Sequence, residues 1–418
     1  SLLLLLLFLN VPLVVSIGLP TALIMLGSGM KVATLAQRTY ASVDSFTLMA
    51  IPFFMLAGKL MEVGGMSKRI VRLADCLVGW MAGGLAHVIV VASAFFGALS
   101  GSAAATTAAI GSTLIPEMKK RGYPADFVAG IQAVAGALGV IIPPSITMIM
   151  YGVCSSTSIG KLFMAGIVPG IVLALFLMVT IAYQAKKRKI SQMNTFTFKE
   201  LGTAFLDAIP ALLVPTIILG GIYGGIFTPT EAGAVAATYG FLAGAFWYKE
   251  INLQNIGNIM GGAIVNTVLV MIVVGASGAF SWLLTSAGVS SLLGKAISAI
   301  AGNKYIFLLV ANLIFIFIGM FIESVAGILI VTPILLPIAT SLGVDPVHFG
   351  IIMVVNLALG LTTPPVGENQ YIAAAIAEIP FEEEVKASIP FLIAGFAALA
   401  VITYVEPLSL WLPGILGM

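Results

Sequence analysis

The chain has 418 residues, 60% hydrophobic and only 9% charged, with a net charge of +2 and a mean hydropathy of +1.13. Soluble domains carry about 25% charged residues, so this composition excludes a water-facing globular surface, and the near-neutral balance gives no footprint for nucleic acid. Two cysteines, Cys76 and Cys154, and two histidines, His87 and His348, are too few for a disulfide framework or a histidine-based metal cluster.

Long apolar runs recur from end to end, among them Gly166–Ala185, Phe205–Phe227, Tyr305–Ile322 and Ile389–Leu412. Each is long enough to cross a hydrocarbon core of about 30 Å as a helix. The fold class expected is therefore an all-α polytopic membrane protein. In chain order the pattern predicts helices over 1–10, 11–32, 44–64, 82–99, 101–120, 125–140, 146–156, 161–186, 206–227, 230–248, 257–286, 304–322, 324–341, 346–360, 366–377 and 387–412. No G-x-x-x-x-G-K-[ST] occurs, so the energy for any transport comes from an ion gradient or from another chain.

The opening "SLLLLLLFLN" has no basic region or cleavage motif and reads as part of a spanning helix. Lys59 and Glu62, three apart, are expected to pair. His87 reads as a packed or hydrogen-bonded residue rather than a proton relay. The segments 82–99 and 101–120 are interrupted by Ser100–Ser102 inside "GALSGSAAATTAAIG". Basic clusters flank both (Lys68, Arg69, Arg72 and Lys119, Lys120, Arg121), and the polar insert "KKRKISQMNTFTFKE" (Lys186–Glu200) follows. By the positive-inside rule all three are cytoplasmic, which makes the pair a re-entrant hairpin with its tip at the break. Pro143-Pro144 then ends the helix that begins at 125, since proline lacks a donor and clashes with the preceding turn.

Further on, Thr228-Pro-Thr-Glu231 is a capping box that starts the next helix. A second hairpin is broken at Phe321–Ser324, and Pro364-Pro365 breaks the helix after it. "FEEEVKAS" (Phe381–Ser388) reads as a solvated amphipathic start. "LIPEMKKRG" (Leu114–Gly122) returns as "LLPIATSLG" (Leu335–Gly343), and "GVIIPPS" (Gly139–Ser145) as "GLTTPPV" (Gly360–Val366), both 221 residues later. Two repeats follow, inverted if each crosses an odd number of times, an arrangement that marks secondary transporters.

Helix breaks at membrane depth survive only where they line a cavity or bind something. Carbonyl and hydroxyl oxygens suit Na⁺ and not soft metals. One Na⁺ is expected between the first tip and the 139–143 break, another between the second tip and the 360–364 break. Half-helix N-termini near Ala103, Ser145, Val325 and Val366 would aim their positive ends at an anionic substrate. Each feature has a plainer counterpart. The small residues of the tip also suit a packing face, and a Pro-Pro pair also suits a kink; finding both twice at one offset favours the sites. Glu323 reads equally as a coupling group or as a hydrogen-bonded structural carboxyl. Glu368 and Asn369 read as substrate contacts or as helix-start residues.

The motifs "FGALSGSAAA", "IIPPS" followed by "MYGV", "IGKLFMAGIVPG", "GGIFTPTEAGAVAA", "GMFIES" and "LTTPPVGEN" together resemble the large membrane subunit of tripartite ATP-independent periplasmic (TRAP) transporters across essentially the whole chain. The resemblance implies an elevator-type secondary transporter of the ion transporter superfamily, with two re-entrant hairpins and two broken helices, and no enzyme. It implies Na⁺-driven symport of a small organic anion, typically a C4-dicarboxylate or sialic acid, across the bacterial inner membrane. The partners implied are a periplasmic binding protein and a small four-helix membrane subunit, with the termini periplasmic and Na⁺ as coupling ion in place of any cofactor. It carries one Na⁺ site onto Ser102 with the Gly139–Pro143 backbone, and another onto Gly327 with Gly360 and Thr363.

With the flanking polar groups, the first sodium site comprises Ser100, Ser102, Gly139, Ile142 and Pro143, and the second Glu323, Gly327, Gly360 and Thr363. Substrate contacts are expected at Thr106, Thr107, Ser145, Ser324, Glu368 and Asn369. The expected domains are scaffold helices 1–81, the first transport segment 82–156, scaffold 161–300 with a cytoplasmic linker 186–205, the second transport segment 304–378, and a C-terminal scaffold helix 387–418. Two rivals stand beside this: a membrane hydrolase using Ser100 or Ser102, which lacks a placed base, and a scaffold subunit whose partner carries the transport.

Overall fold

The computed structural model describes residues 2–9, 11–190, 196–288 and 303–417, and among these the regular structure is helical throughout. Parts of the expected linker (191–195) and of the segment ending at 300 (289–300) lie outside the described residues. Among the described residues, six helices are long and apolar enough to cross a membrane, and a seventh span forms if the bent pair Ala125–Ile141 and Ile146–Ser155 counts as one.

A first bundle contains α1 (Leu2–Phe8), α2 (Leu13–Gly27), α3 (Val32–Val43), α4 (Ala50–Val63), α5 (Met66–Val78), α12 (Phe198–Tyr223), α13 (Pro229–Leu242) and α14 (Ile256–Ser286). Its tightest pairing is α13 on α4, with α14 laid across α2, α3 and α4. Glycine makes the α13–α4 approach possible, because a Cβ on Gly233 would stand 3.1 Å from the Phe53 side chain. Helix α13 begins where expected. Thr228 Oγ1 accepts the Glu231 N–H at 3.3 Å and Glu231 Oε2 accepts the Thr228 N–H at 2.8 Å, completing the capping box. Lys59 and Glu62 pair at 2.9 Å.

Helices α3 and α5 have no counterpart in the predicted spans. α5 buries Ile70, Val71, Leu73 and Ala74 on one face. From the other, Arg69 and Arg72 reach Glu250 and Asp207, each at 3.5 Å. An amphipathic helix of this kind has no continuous apolar run, so a search for spans passes over it.

The second bundle holds α6 (Gly84–Ser100), α7 (Ala103–Lys120), α8 (Ala125–Ala135), α9 (Leu138–Ile141), α10 (Ile146–Ser155) and α11 (Ile159–Lys187). It also holds α15 (Lys304–Gly319), α16 (Ser324–Ser341), α17 (Pro346–Gly360), α18 (Glu368–Ala377), α19 (Phe381–Tyr404) and α20 (Pro407–Ile415). Two pairings cross between the sequence halves in the same sense. α7 packs on α18, and α16 packs on α10.

Helices α11 and α19 pack on each other, with α19 also on α8 and α11 on α17. Residues 161–187 and 387–404 thus pack on elements of both broken-helix regions. The predicted span 387–412 is two helices, starting earlier at Phe381 and interrupted at Val405–Glu406, where Glu406 takes the Lys304 ammonium at 2.8 Å. Glu384, expected on a solvated helix start, is fully buried, because that face of α19 lies on α8.

Candidate functional site

The first tip is shaped by three residues. α6 ends at Ser100, Gly101 takes the left-handed conformation (φ +61°), and Ser102 is extended and caps α7, its Oγ accepting the Ala105 N–H at 3.4 Å. The left-handed turn favours glycine. The space does too, since a Cβ on Gly101 would stand 3.1 Å from the Pro144 carbonyl oxygen. The tip therefore rests on the first Pro-Pro break. Ser100 Oγ lies 2.9 Å from Thr106 Oγ1 and 3.4 Å from the Ser102 carbonyl. Gly139 sits against that same carbonyl and the Thr106 hydroxyl, and Gly97 leaves only 2.9 Å between its Cβ position and Gly139 Cα.

At the break itself, Pro143 has no N–H for the Gly139 carbonyl and Pro144 none for that of Val140. Ser145 compensates in part: its Oγ donates to the Val140 carbonyl at 2.6 Å and accepts the Met148 N–H at 3.3 Å, capping α10. Ile142 is extended, and the two halves are bent by 44°.

The second tip has a different cap. Glu323 precedes α16, and its Oε2 accepts the Val325 N–H at 2.9 Å. A Cβ on Gly319 would stand 3.0 Å from Gly360 Cα, matching the Gly97–Gly139 contact, and Gly327 packs on Leu357. Here too a proline pair interrupts the helix. The Gly360 carbonyl receives the Thr363 N–H at 2.9 Å and that of Leu361 the Asn369 N–H at 3.1 Å. The Thr362 and Thr363 hydroxyls both donate to the Leu359 carbonyl, at 2.7 and 2.8 Å. Both Pro-Pro bonds are cis.

All four interruptions open onto one cavity of about 110 Å³. The first tip contributes Ser102 and the start of α7, and the first break contributes Val140 and the start of α10 at Ile146 and Thr147. The second tip contributes Glu323 and Val325, the second break Leu361 and Glu368. The first bundle closes it with Met55 and Val270. Four helix N-termini thus face one small volume, each equivalent to roughly half a positive charge. No lysine, arginine or histidine lines it, and among the described residues no cluster of three or more metal-ligating side chains occurs.

Of the residues singled out in the sequence, Ser102, Glu323 and Glu368 stand on the cavity wall. Ser100 and Gly139 gather behind the first tip, Ile142 and Pro143 line a separate apolar groove with α6, α11 and α12, and Gly327, Gly360 and Thr363 lie behind the second tip against Leu357, Gly319 and Leu359. Thr106, Thr107, Ser145, Ser324 and Asn369 are buried off the wall. Thr107 donates to the Ala103 carbonyl at 2.9 Å and Asn369 to that of Ala133 at 3.3 Å, while the Ser324 hydroxyl has no partner among the described residues. Sequence reasoning missed Thr147, although its place two residues after the Ser145 cap put it in the first turn of a half-helix. It also missed a buried polar network behind the second break. Asn356 Nδ2 donates to Asn312 Oδ1 at 2.6 Å, Asn312 Nδ2 to Thr403 Oγ1 at 3.1 Å, and His348 Nε2 lies 3.1 Å from the Thr403 carbonyl.

Comparison with known proteins agrees with this architecture. The family model "Tripartite ATP-independent periplasmic transporter, DctM component" matches residues 1–408. The C4-dicarboxylate TRAP transporter large permease protein DctM of Pseudomonas aeruginosa is 42% identical over 404 residues, 96% of this chain and 95% of that protein. The isethionate TRAP transporter permease protein DctMQ of Oleidesulfovibrio alaskensis is 42% identical over 410 residues, 97% of this chain but 64% of that longer protein. The solved structure of the Alcanivorax borkumensis YdaH transporter is similar in fold, with a TM-score of 0.64 at 14% identity, covering 90% of this chain and 89% of that one. The apolar spans, the paired helix breaks and the near full-length family match lead to one conclusion: this chain is a transporter permease and not an enzyme, a multi-pass membrane component belonging to the DctM family of tripartite ATP-independent periplasmic transporters.

Proposed function

We propose that this chain carries out Na⁺-coupled symport of a small organic anion across the bacterial inner membrane. A periplasmic binding protein delivers the cargo and a small four-helix membrane subunit accompanies the permease, with the termini on the periplasmic side. The observation that carries this reading is the single cavity onto which all four helix breaks open. Broken helices near mid-membrane supply positive helix ends for an anion and unwound carbonyls for a cation.

The first Na⁺ binds through Ser100, Ser102 and the Gly139, Ile142 and Pro143 backbone, the second through Glu323, Gly327, Gly360 and Thr363. The oxygen-only chemistry of both groups supports a hard monovalent cation. Thr106, Thr107, Ser145, Ser324 and Asn369 back the substrate position, and Glu368 touches it. The Gly-on-Gly contacts and the reciprocal α7–α18 and α16–α10 packing favour inverted repeats. In an elevator mechanism the second bundle would slide as a body against the first, carrying the cavity with it. The cargo class follows relatives named for C4-dicarboxylate and isethionate.

The test is uptake of a labelled organic anion by proteoliposomes holding the complete transporter. An inward Na⁺ gradient drives accumulation above equilibrium, and accumulation indifferent to Na⁺ refutes the coupling.

A further inference from the structure

The first bundle closes the cavity with Met55 of α4 and Val270 of α14. Each has a polar neighbour one helical turn away, Lys59 on α4 and Asn266 on α14. Both neighbours face the same gap. The Lys59 stem lies across Gly262, with 3.6 Å from its Cε to the Gly262 Cβ position, and Gly262 is one turn from Asn266 on the same side of α14. Beside Lys59, a Cβ on Gly58 would stand 3.2 Å from the Ser100 carbonyl oxygen, so this stretch of α4 also touches the first tip.

Asn266 falls in the stripe of α14 that faces the protein. Ile259, Ala263 and Val274 share that stripe and are buried, and Val270 lines the cavity. The opposite side, with Val268, Gly275 and Ala279, lines an apolar groove against α2 and α3. Asn266 is nevertheless exposed. A polar side chain exposed on the inward side of an apolar helix opens onto water or ligand between helices, not onto lipid. Lys59 and Glu62 share that access. Their side chains are 32% and 29% exposed, and Lys59 Nζ lies 2.9 and 3.0 Å from the two Glu62 carboxylate oxygens.

An ion pair within one turn of a helix reads most simply as mutual neutralisation. That reading accounts for Lys59 and Glu62, but not for an exposed amide in the inward stripe of the facing helix. No lysine, arginine or histidine lines the cavity itself. An anion leaving through this gap therefore passes from helix ends to a full positive charge at Lys59. Beyond Lys59 the chain continues to Lys68, Arg69 and Arg72, which the positive-inside rule puts on the cytoplasmic side.

We propose that Lys59 and Asn266 form a second anion position on the first bundle, one turn to the cytoplasmic side of the cavity. There the anionic group of the cargo displaces Glu62 from the Lys59 ammonium and accepts the Asn266 amide N–H before release. This rests on the transport reading above and adds an exit position to it. Glu62 keeps that position weak, because it reclaims Lys59 as the anion departs, and passage through successive sites requires binding that lets go. The two charges thus act in opposite senses, which members of a structural ion pair do not.

The experiment is inhibition of uptake by internal anion, in proteoliposomes holding the complete transporter under an inward Na⁺ gradient. The probes are succinate, malate, isethionate and N-acetylneuraminate, each labelled outside and unlabelled inside. Lys59→Gln raises the half-inhibiting internal concentration about tenfold, the loss expected for one charge-assisted bond, and Lys59→Arg restores it. Glu62→Gln lowers that concentration and slows turnover, because the anion then leaves an unopposed cation. Asn266→Leu raises it by a smaller factor. If Lys59→Gln does not fold, the opposite signs of Glu62→Gln and Asn266→Leu decide the matter. Parental values in the folded variants, or shifts of Lys59→Gln and Glu62→Gln in the same direction, overturn the proposal and leave the transport reading standing. Absence of Na⁺-driven accumulation of all four anions by the parental protein overturns both.

Discussion

Gly319 stands so close to Gly360 that a Cβ on Gly319 would come within 3.0 Å of the Gly360 Cα. The contact joins the last turn of α15 to the residue at which α17 breaks, so the second tip and the second break are packed backbone on backbone. Gly97 and Gly139 form the same joint in the first half, with 2.9 Å from the Gly97 Cβ position to Gly139 Cα. Backbone meets backbone at both places, and no side-chain rotation relieves an added methyl group.

Gly360→Ala and Gly97→Ala are therefore expected to cost about 1–3 kcal/mol each through overpacking. They also displace the adjoining carbonyls and reduce uptake. Gly202→Ala in α12 is the control, because nothing lies within 4 Å of its Cβ position. Thermal unfolding of the three variants in one detergent checks the order; equal melting temperatures would show that the joints yield.

Asn312 and Asn356 couple α15 to α17 through the 2.6 Å hydrogen bond that Asn356 Nδ2 donates to Asn312 Oδ1, and Thr403 extends the link to α19. Interhelical hydrogen bonds in membranes contribute about 1 kcal/mol. A double-mutant cycle of Asn312→Ala and Asn356→Ala should give a coupling energy of about that size. Strict additivity would mean that the pair is incidental.

Thr228→Ala removes the hydroxyl that receives the Glu231 N–H and should cost about 1 kcal/mol at the start of α13. The residue lies far in sequence from both tips, in the first bundle. Stability falls while the Na⁺ concentration for half-maximal uptake stays at the parental value. A shift in that concentration would tie α13 to cation binding.

Ser102→Ala tests the first sodium site. The hydroxyl caps α7 only weakly, at 3.4 Å, so its loss leaves the helix in place. Half-maximal uptake should require about tenfold more Na⁺, the loss expected for one charge-assisted ligand bond. An unchanged Na⁺ requirement would leave Ser102 as a capping residue and no more.

The spans and breaks were legible because each has a strong local cause. Apolar length sets the long helices, the Pro-Pro pairs remove specific donors, and the Thr228–Glu231 box marks a helix start by chemistry alone. What escaped depends on rotation about a helix axis. Glu384 looked solvated among acidic neighbours, but its face of α19 lies on α8. Asn312 and Asn356 sit 44 residues apart in apolar helices, and only packing brings their amides together. Thr147 differs from the other threonines of its region in facing a cavity built by both halves. The packing of α11 and α19 on each other likewise follows from which faces meet, and hydropathy carries no record of that.

The most direct test of Na⁺ coupling measures both fluxes at once. Proteoliposomes holding the complete transporter receive ²²Na⁺ and a labelled organic anion together, in the parental protein and in Ser102→Ala. The account predicts that anion entry is matched by Na⁺ entry in a fixed ratio, and that both fall together in the variant at limiting Na⁺. Anion entry that continues at full rate without Na⁺ flux would contradict it.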